Sequence, residues 1–286
     1  MLDIRTVAID PPSASKINLA IADIAIHAAL FIPTVWITWK HGKAGMVCWP
    51  IFLSYFPLRF VSDAYQIVHR NDPEIPNTVV IMTNAGSIAC LTLALIGIIY
   101  EVYVTNLPTV SLWTSRTNET NSNTILPLPP KRWTEKIILG ITHLANTVGI
   151  GMATYGGSPS ATGAGGVANE RLNKIGNCMM LFVMFGICWW LWQTGKRVTN
   201  MRPHHNFRFA KHMYRAACAA LPFQLIRVGY NLTYALNRIP SLDPVMGTFL
   251  TRFILMFVMQ LGVAVALVVG GWLGMGSVPR QRLEAY

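Results

Sequence analysis

Residues 78–102 read TVVIMTNAGSIACLTLALIGIIYEV. A bilayer core needs about 20 apolar residues to cross it as a helix, and this run exceeds that. Its one formal charge, Glu101, stands beside its end. Six further stretches share this length and character, at 18–39, 46–69, 136–155, 175–194, 211–236 and 245–273. The expected fold is therefore all-α: a polytopic seven-transmembrane-helix bundle forming one domain over residues 1–286, with no internal repeat. The composition agrees, with 52% of residues hydrophobic and 12% charged, against about 25% charged in soluble domains. The first apolar run follows Asp3, Arg5, Asp10 and Lys16, and it is too long for the core of a cleaved signal peptide.

The net charge of +11 suggests nucleic acid as a partner, but the basic residues follow the membrane sides instead. Lys40, Lys43, Lys131, Arg132, Lys196, Arg197, Arg202 and Arg208 occupy alternate connections, and Arg280 and Arg282 the C-terminus. The other side holds Arg5, Lys16, Arg70, Arg171, Lys174 and Arg238. Cytoplasmic loops carry the positive excess, so the N-terminus is expected in the lumen and the C-terminus in the cytosol, with the endoplasmic reticulum as the membrane. The sequon Asn118-Glu119-Thr120 then faces the cytosol and stays unglycosylated. All five cysteines (Cys48, Cys90, Cys178, Cys188, Cys218) lie within or beside spans and read as small apolar packers.

The connection over 103–135 is polar, with Pro127, Pro129 and Pro130 near its end. Residues 155–167, rich in Gly and Ser, read as a disordered luminal loop; no Walker lysine follows and no strand precedes, so it is not a phosphate cradle. Met201-Arg202-Pro203-His204-His205 resembles a metal tract only superficially, and on a basic loop it is expected to touch anionic headgroups. Gly149 and Gly151, and later Gly270, Gly271 and Gly274, are expected to let helices approach closely.

Function is expected where charge enters the spans. A charged side chain at mid-bilayer costs about 2.5–3.5 kcal/mol on insertion scales, so such residues pair, line cavities and mark sites. Helical spacing gathers them into stripes: Asp23, His27, Thr34 and Thr38; Tyr55, Arg59, Asp63 and Gln66; Gln224, Arg227, Tyr230, Asn231 and Tyr234. Asn84 lies on span three, and Arg252 and Gln260 on span seven. At 1.5 Å per residue, Asp63 is about 9 Å and Arg59 about 15 Å from the luminal end of its span. The cytosolic half is polar-poor apart from Glu101, His143 and Asn146. Each residue alone has an equally good structural reading: Arg59 and Asp63 as an i,i+4 ion pair, Arg227 bonded to a neighbouring carbonyl, His27 as a packed, hydrogen-bonded histidine. Their convergence from five or six helices makes a cavity near the luminal leaflet the expected site.

Several chemistries are excluded by what is missing. Residues 245–273 contain no lysine for a retinal Schiff base, no Asn-Pro-x-x-Tyr pattern follows there, and Tyr100-Glu101-Val102 stands where a receptor would carry Asp-Arg-Tyr. No zinc-binding His/Glu motif and no G-x-S-x-G elbow is present. Asn71-Asp72-Pro73-Glu74 is a turn, unlike the paired aspartates that hold magnesium in diphosphate-ionising prenyl enzymes. No metal and no other cofactor is expected. What remains is an apolar pocket with lone carboxylates and aromatic faces (Trp36, Tyr55, Tyr65, Tyr230, Tyr234). Desolvation favours the protonated carboxyl unless an arginine opposes it, and aromatic faces can stabilise a carbocation.

The stretch from Asp23 through Lys40-His41-Gly42, Trp49 and Pro57-Leu58-Arg59-Phe60-Val61, then Gly86-Ser87-Ile88-Ala89 and Gly97, then Leu221-Pro222-Phe223 and Leu225-Ile226-Arg227 to Tyr230, resembles a fungal family of seven-span membrane proteins. One branch of that family is similar to the membrane-bound terpene cyclases of meroterpenoid pathways, the ascofuranone type, which close farnesyl chains of prenylated phenols, often after epoxidation. The resemblance implies Asp23, Arg59 and Arg227 as its best positions, and no secure catalytic residue carries over from it. The expectation is a cyclase with Asp63 or Asp23 as proton donor, Asp63 being deeper although Arg59 beside it opposes its protonation. Arg59, Arg227 and Arg252 would position the acid or hold the head of a lipophilic prenylated phenol, with Asn84, Asn231, Tyr230, Tyr55 and His27 completing the substrate site. The alternative is a non-enzymatic seven-span carrier or sensor of lipid or small molecules, since arginines outnumber carboxylates. Bilayer lipid is the other expected partner; oligomeric state stays open.

Overall fold

The computed structural model describes residues 13–71, 78–105, 132–159, 167–200, 207–244 and 247–275. Most of the 103–135 connection, the Asn118 sequon, the Met201–His205 motif and the basic C-terminus lie outside these residues.

Seven long helices form among the described residues: α1 (Ala14–His41), α2 (Trp49–Val68), α3 (Thr78–Thr105), α4 (Arg132–Gly157), α5 (Glu170–Asn200), α6 (Phe207–Asn237) and α7 (Phe249–Gly274). Every expected apolar stretch is helical, and the only β pairing among the described residues is an isolated bridge between Pro159 and Val167. Five helices are long and apolar enough to cross a membrane: α1, α3 over Thr78–Val102, α4 over Lys136–Gly157, α5 over Glu170–Thr199, and α7. The other two, α2 and α6, fall short because their apolar runs are diluted by Arg59, Asp63 and Gln66 on one and Lys211, Arg215, Gln224 and Arg227 on the other.

The middle of the bundle is α3, which packs against α2, α4, α5, α6 and α7. That position explains a sequence apolar on every side. Half of its span is buried, against 17% for α4, which faces outward with Ile137, Ile141 and Leu144. The core joins Trp49, Phe52 and Phe56 of α2 to Ile88, Leu91, Leu95 and Ile98 of α3, and on to Met184 and Leu267. Without a hydrophobic drive between helices in lipid, close packing carries the association.

Glycine makes that closeness possible. A Cβ on Gly270 would lie 2.2 Å from the Cβ of Ala216, one on Gly271 2.2 Å from the Trp49 ring, and one on Gly97 2.6 Å from the Cys48 backbone. Gly151 departs from the expectation, because it faces open space. The start of the Gly-rich stretch departs as well: α4 continues through Gly157, and Gly156 packs against the Asn173 backbone of α5, where a Cβ would come within 2.4 Å, while residues 160–166 lie outside the described ones. Replacing Gly270 with leucine is expected to cost at least the ~1–3 kcal/mol typical of overpacking, read as a lower unfolding temperature in detergent. An unchanged midpoint would mean that α6 and α7 part freely.

The last helix is irregular. After the turn Phe249–Thr251, capped by Thr248, α7 runs as a π-helix over Arg252–Val258 and returns to α geometry at Met259. Such π segments are rare and cluster at functional sites.

Candidate functional site

Helices α1, α2 and α7 meet around a cavity at the end of the bundle where α1 begins and α2 finishes. Its polar wall is Lys16 and Asp23 of α1, Arg59, Ser62, Asp63 and Gln66 of α2, and Arg252 of α7. Its apolar wall includes Leu19, Ala20, Val80, Met256 and Phe257. The cavity holds about 30 Å³, room for about two waters.

The i,i+4 spacing of Arg59 and Asp63 does not make the main ion pair. Arg59 Nη2 turns to the Asp23 carboxylate across the α1–α2 contact and reaches Asp63 Oδ1 only at 3.4 Å. Asp23, 2% exposed, also receives His27, whose Nδ1 faces both its carboxylate and its main-chain oxygen, the latter at 3.0 Å. A ring nitrogen set against two oxygens carries the proton, which leaves His27 Nε2 as an acceptor. The Tyr55 hydroxyl donates to it at 2.8 Å. Tyr55, His27 and Asp23 are thus one hydrogen-bonded chain running from the core to the cavity wall. Asp63 Oδ2 and Asp23 Oδ1 are both buried without a hydrogen-bond partner, but only Asp23 Oδ1 has the His27 ring nitrogen against it. Arg252 donates to the Gln66 amide oxygen and so ties α7 to α2.

The remaining expected residues form a second knot, away from the cavity wall. Arg227, fully buried on α6, donates to Asn231 Oδ1 and, at 3.1 Å, to Asn84 Oδ1 of α3. It lies 5.1 Å over the Tyr230 ring, whose hydroxyl donates to the Leu242 carbonyl at 2.7 Å. Both asparagine oxygens therefore accept from Arg227. One turn away, Gln224 donates to Thr92 Oγ1 at 2.7 Å and continues the α3–α6 seam. Two aromatic candidates point elsewhere: Trp36 is 42% exposed on the outer surface, and Tyr65 stacks on His69 at 4.0 Å. Among the described residues no group of His, Cys, Asp and Glu side chains is placed to hold a metal.

One cluster escaped the sequence reading. At the opposite end of the bundle His41 Nδ1 meets Glu101 Oε1 at 2.5 Å, while the Trp49 indole donates to Glu101 Oε2 at 2.9 Å. His41 Nε2 donates to the Gly271 carbonyl at 3.0 Å. Both ring nitrogens of His41 thus face oxygen acceptors. The four residues lock α1, α2, α3 and α7 together. The available signal was Glu101 itself, the one charge in the run over 78–102, together with a histidine at the end of another span; helical spacing links neither to the other.

Fold and site define an all-helical membrane protein with a small buried acid–base cluster at one end of its bundle. Residues 15–275 match the domain of unknown function DUF7702, and the chain belongs to that family. No curated protein and no solved structure matches it.

Proposed function

We propose that all seven helices cross a membrane of the endoplasmic reticulum, with the N-terminus luminal, and that the cavity receives part of a lipophilic molecule. Support for an interface at this end of the bundle comes from exposed tryptophan–lysine pairs at the C-terminal ends of α1 and α5, where Lys40 lies 4.7 Å over Trp36 and Lys196 3.5 Å over Trp192. Such pairs sit at membrane–water interfaces. An N-glycan on Asn118 would invert this topology.

The reaction assigned to the cavity is acid-triggered cyclisation of the prenyl chain of a meroterpenoid. The observation that carries it is the unpartnered Oδ2 of Asp63 on the cavity wall. Asp23 is neutralised by Arg59 and oriented by His27, so Asp63 is the acid with a proton to give. That proton passes to the epoxide oxygen as the carbon–oxygen bond breaks. Attack by a chain olefin on the resulting carbocation closes the ring, and loss of a proton from carbon restores neutrality. Arg59 positions the acids.

Cavity size favours a second reading, a carrier or sensor. A space for about two waters fits a head group and not a folded farnesyl chain, so cyclisation requires α1 to part from α2 and α7. Membranes containing the protein, supplied with a prenylated phenol and its terminal epoxide, separate the two readings. A cyclised isomer that depends on the protein supports the cyclase. Unreacted substrates across a broad prenyl panel leave the carrier or sensor.

A further inference from the structure

We infer that the cavity between α1, α2 and α7 also adds water across the epoxide of a lipophilic chain, giving a vicinal diol, with Asp63 as acid and Asp23 as base. This rests on the reading that the cavity receives an epoxidised lipophile.

Two carboxyls share one guanidinium. Arg59 Nη2 faces the Asp23 carboxylate and reaches Asp63 Oδ1 at 3.4 Å. All three residues are at least nine-tenths buried and line the same cavity. The two acids are held unequally. Asp23 has Arg59 against one oxygen and the His27 ring nitrogen against the other, so it serves as the carboxylate. Asp63 Oδ2 has no such neighbour and carries the proton. A carboxylic acid and a carboxylate set apart by their surroundings are the acid and base that hydration needs.

Room and polarity select water as the nucleophile. The cavity holds about 30 Å³, enough for about two waters, and so for an epoxide oxygen with one water beside it. A folded chain whose olefin could reach the same carbon does not fit. Arg59 Nε, like Asp63 Oδ2, is buried without a hydrogen-bond partner, and buried polar groups in that condition bind water. Lys16, partly exposed at the rim, marks the side from which water enters. A carbocation that waits for an olefin is best kept among aromatic faces, yet Phe257 is the one aromatic side chain among the described residues of the lining. Ser62 and Gln66 stand there instead.

Asp63 Oδ2 gives its proton to the epoxide oxygen as the bond from that oxygen to the more substituted carbon breaks. The oxygen of water bonds to this carbon, and the proton it sheds goes to Asp23. Each carboxylate oxygen has two lone pairs, so Asp23 accepts it without releasing Arg59 or His27. A second water returns the proton from Asp23 to Asp63. Arg59 is a positioning residue throughout.

The test uses the full chain in phosphatidylcholine nanodiscs, in water enriched in heavy oxygen. Two probes are supplied side by side. One is a farnesylated phenol with a terminal epoxide; the other is the same molecule with its phenol methylated and its remaining olefins saturated, which leaves water as the one nucleophile. A protein-dependent diol is expected from the saturated probe, with heavy oxygen on the tertiary carbon. Asp63→Asn should slow its formation at least about a hundredfold. The position of the label is read from the unaltered protein, so it decides the matter even if Asp63→Asn does not fold. Heavy oxygen on the less substituted carbon, or an undiminished rate in folded Asp63→Asn, overturns the assignment of acid and base. A cyclised isomer from the unsaturated probe with no diol from the saturated one overturns hydration and keeps the cyclase. No product from either probe removes both reactions and leaves the carrier or sensor.

Discussion

Replacing Asp63 with asparagine is expected to cut formation of cyclised product at least about a hundredfold, the lower bound for losing a general acid. Asparagine keeps the size of the side chain and can still accept from Arg59, so the bundle should stay intact. What disappears is the proton that the carboxyl can release into the cavity from the side where its Oδ2 has no other partner. Asp63→Glu should recover part of the activity, because it restores the acid with a displaced oxygen. Asp23→Asn makes the contrasting case. It removes the negative charge that faces both Arg59 and His27, so its expected signature is loss of folded protein along with product. If Asp63→Asn and Asp23→Asn both retained full yield, the cyclase mechanism would be finished and the carrier or sensor would stand alone.

The largest stability effect is expected at the other end of the molecule. Glu101→Ala removes the acceptor of two buried donors at once, His41 and the Trp49 indole. Breaking a buried charged pair costs about 3–5 kcal/mol, because the surviving partner is left without compensation. Glu101→Gln should cost less, since its amide oxygen can still accept from one of the two. The measurement is unfolding in detergent, compared with Gly270→Leu, which presses on the neighbouring α6–α7 seam without touching a polar group. A Glu101→Ala effect below about 1 kcal/mol, the worth of one ordinary hydrogen bond, would show that the cluster is incidental to the fold.

The architecture was legible because its governing quantity, run length against bilayer thickness, is local. Each of the seven expected stretches is helical. The depth argument also worked for Asp23, Arg59, Asp63 and Arg252, which do line one cavity. Spacing along single helices was a poorer guide to partners. It paired Arg59 with Asp63, whereas the arginine spends its shortest contact on Asp23 of another helix. It did not show that Arg227 donates to both Asn84 and Asn231. The His41–Glu101 contact spans 60 residues, and nothing in either helix alone announces it. Which helices are neighbours is decided by packing, and packing in lipid depends on small surface features such as Gly270 and Gly271.

The π segment of α7 has a consequence for how this family can diversify. Over the same rise it accommodates a residue more than an α-helix would, so everything before Met259 is rotated by about 100° relative to a regular helix. Arg252 opens that segment, while Gly270, Gly271 and Gly274 sit beyond it on ordinary α geometry. Deleting a single codon within 252–258 would swing the guanidinium away and leave the glycine seam in register. Ligand preference and scaffold can therefore drift independently, and a descendant could exchange one for another without rebuilding the bundle.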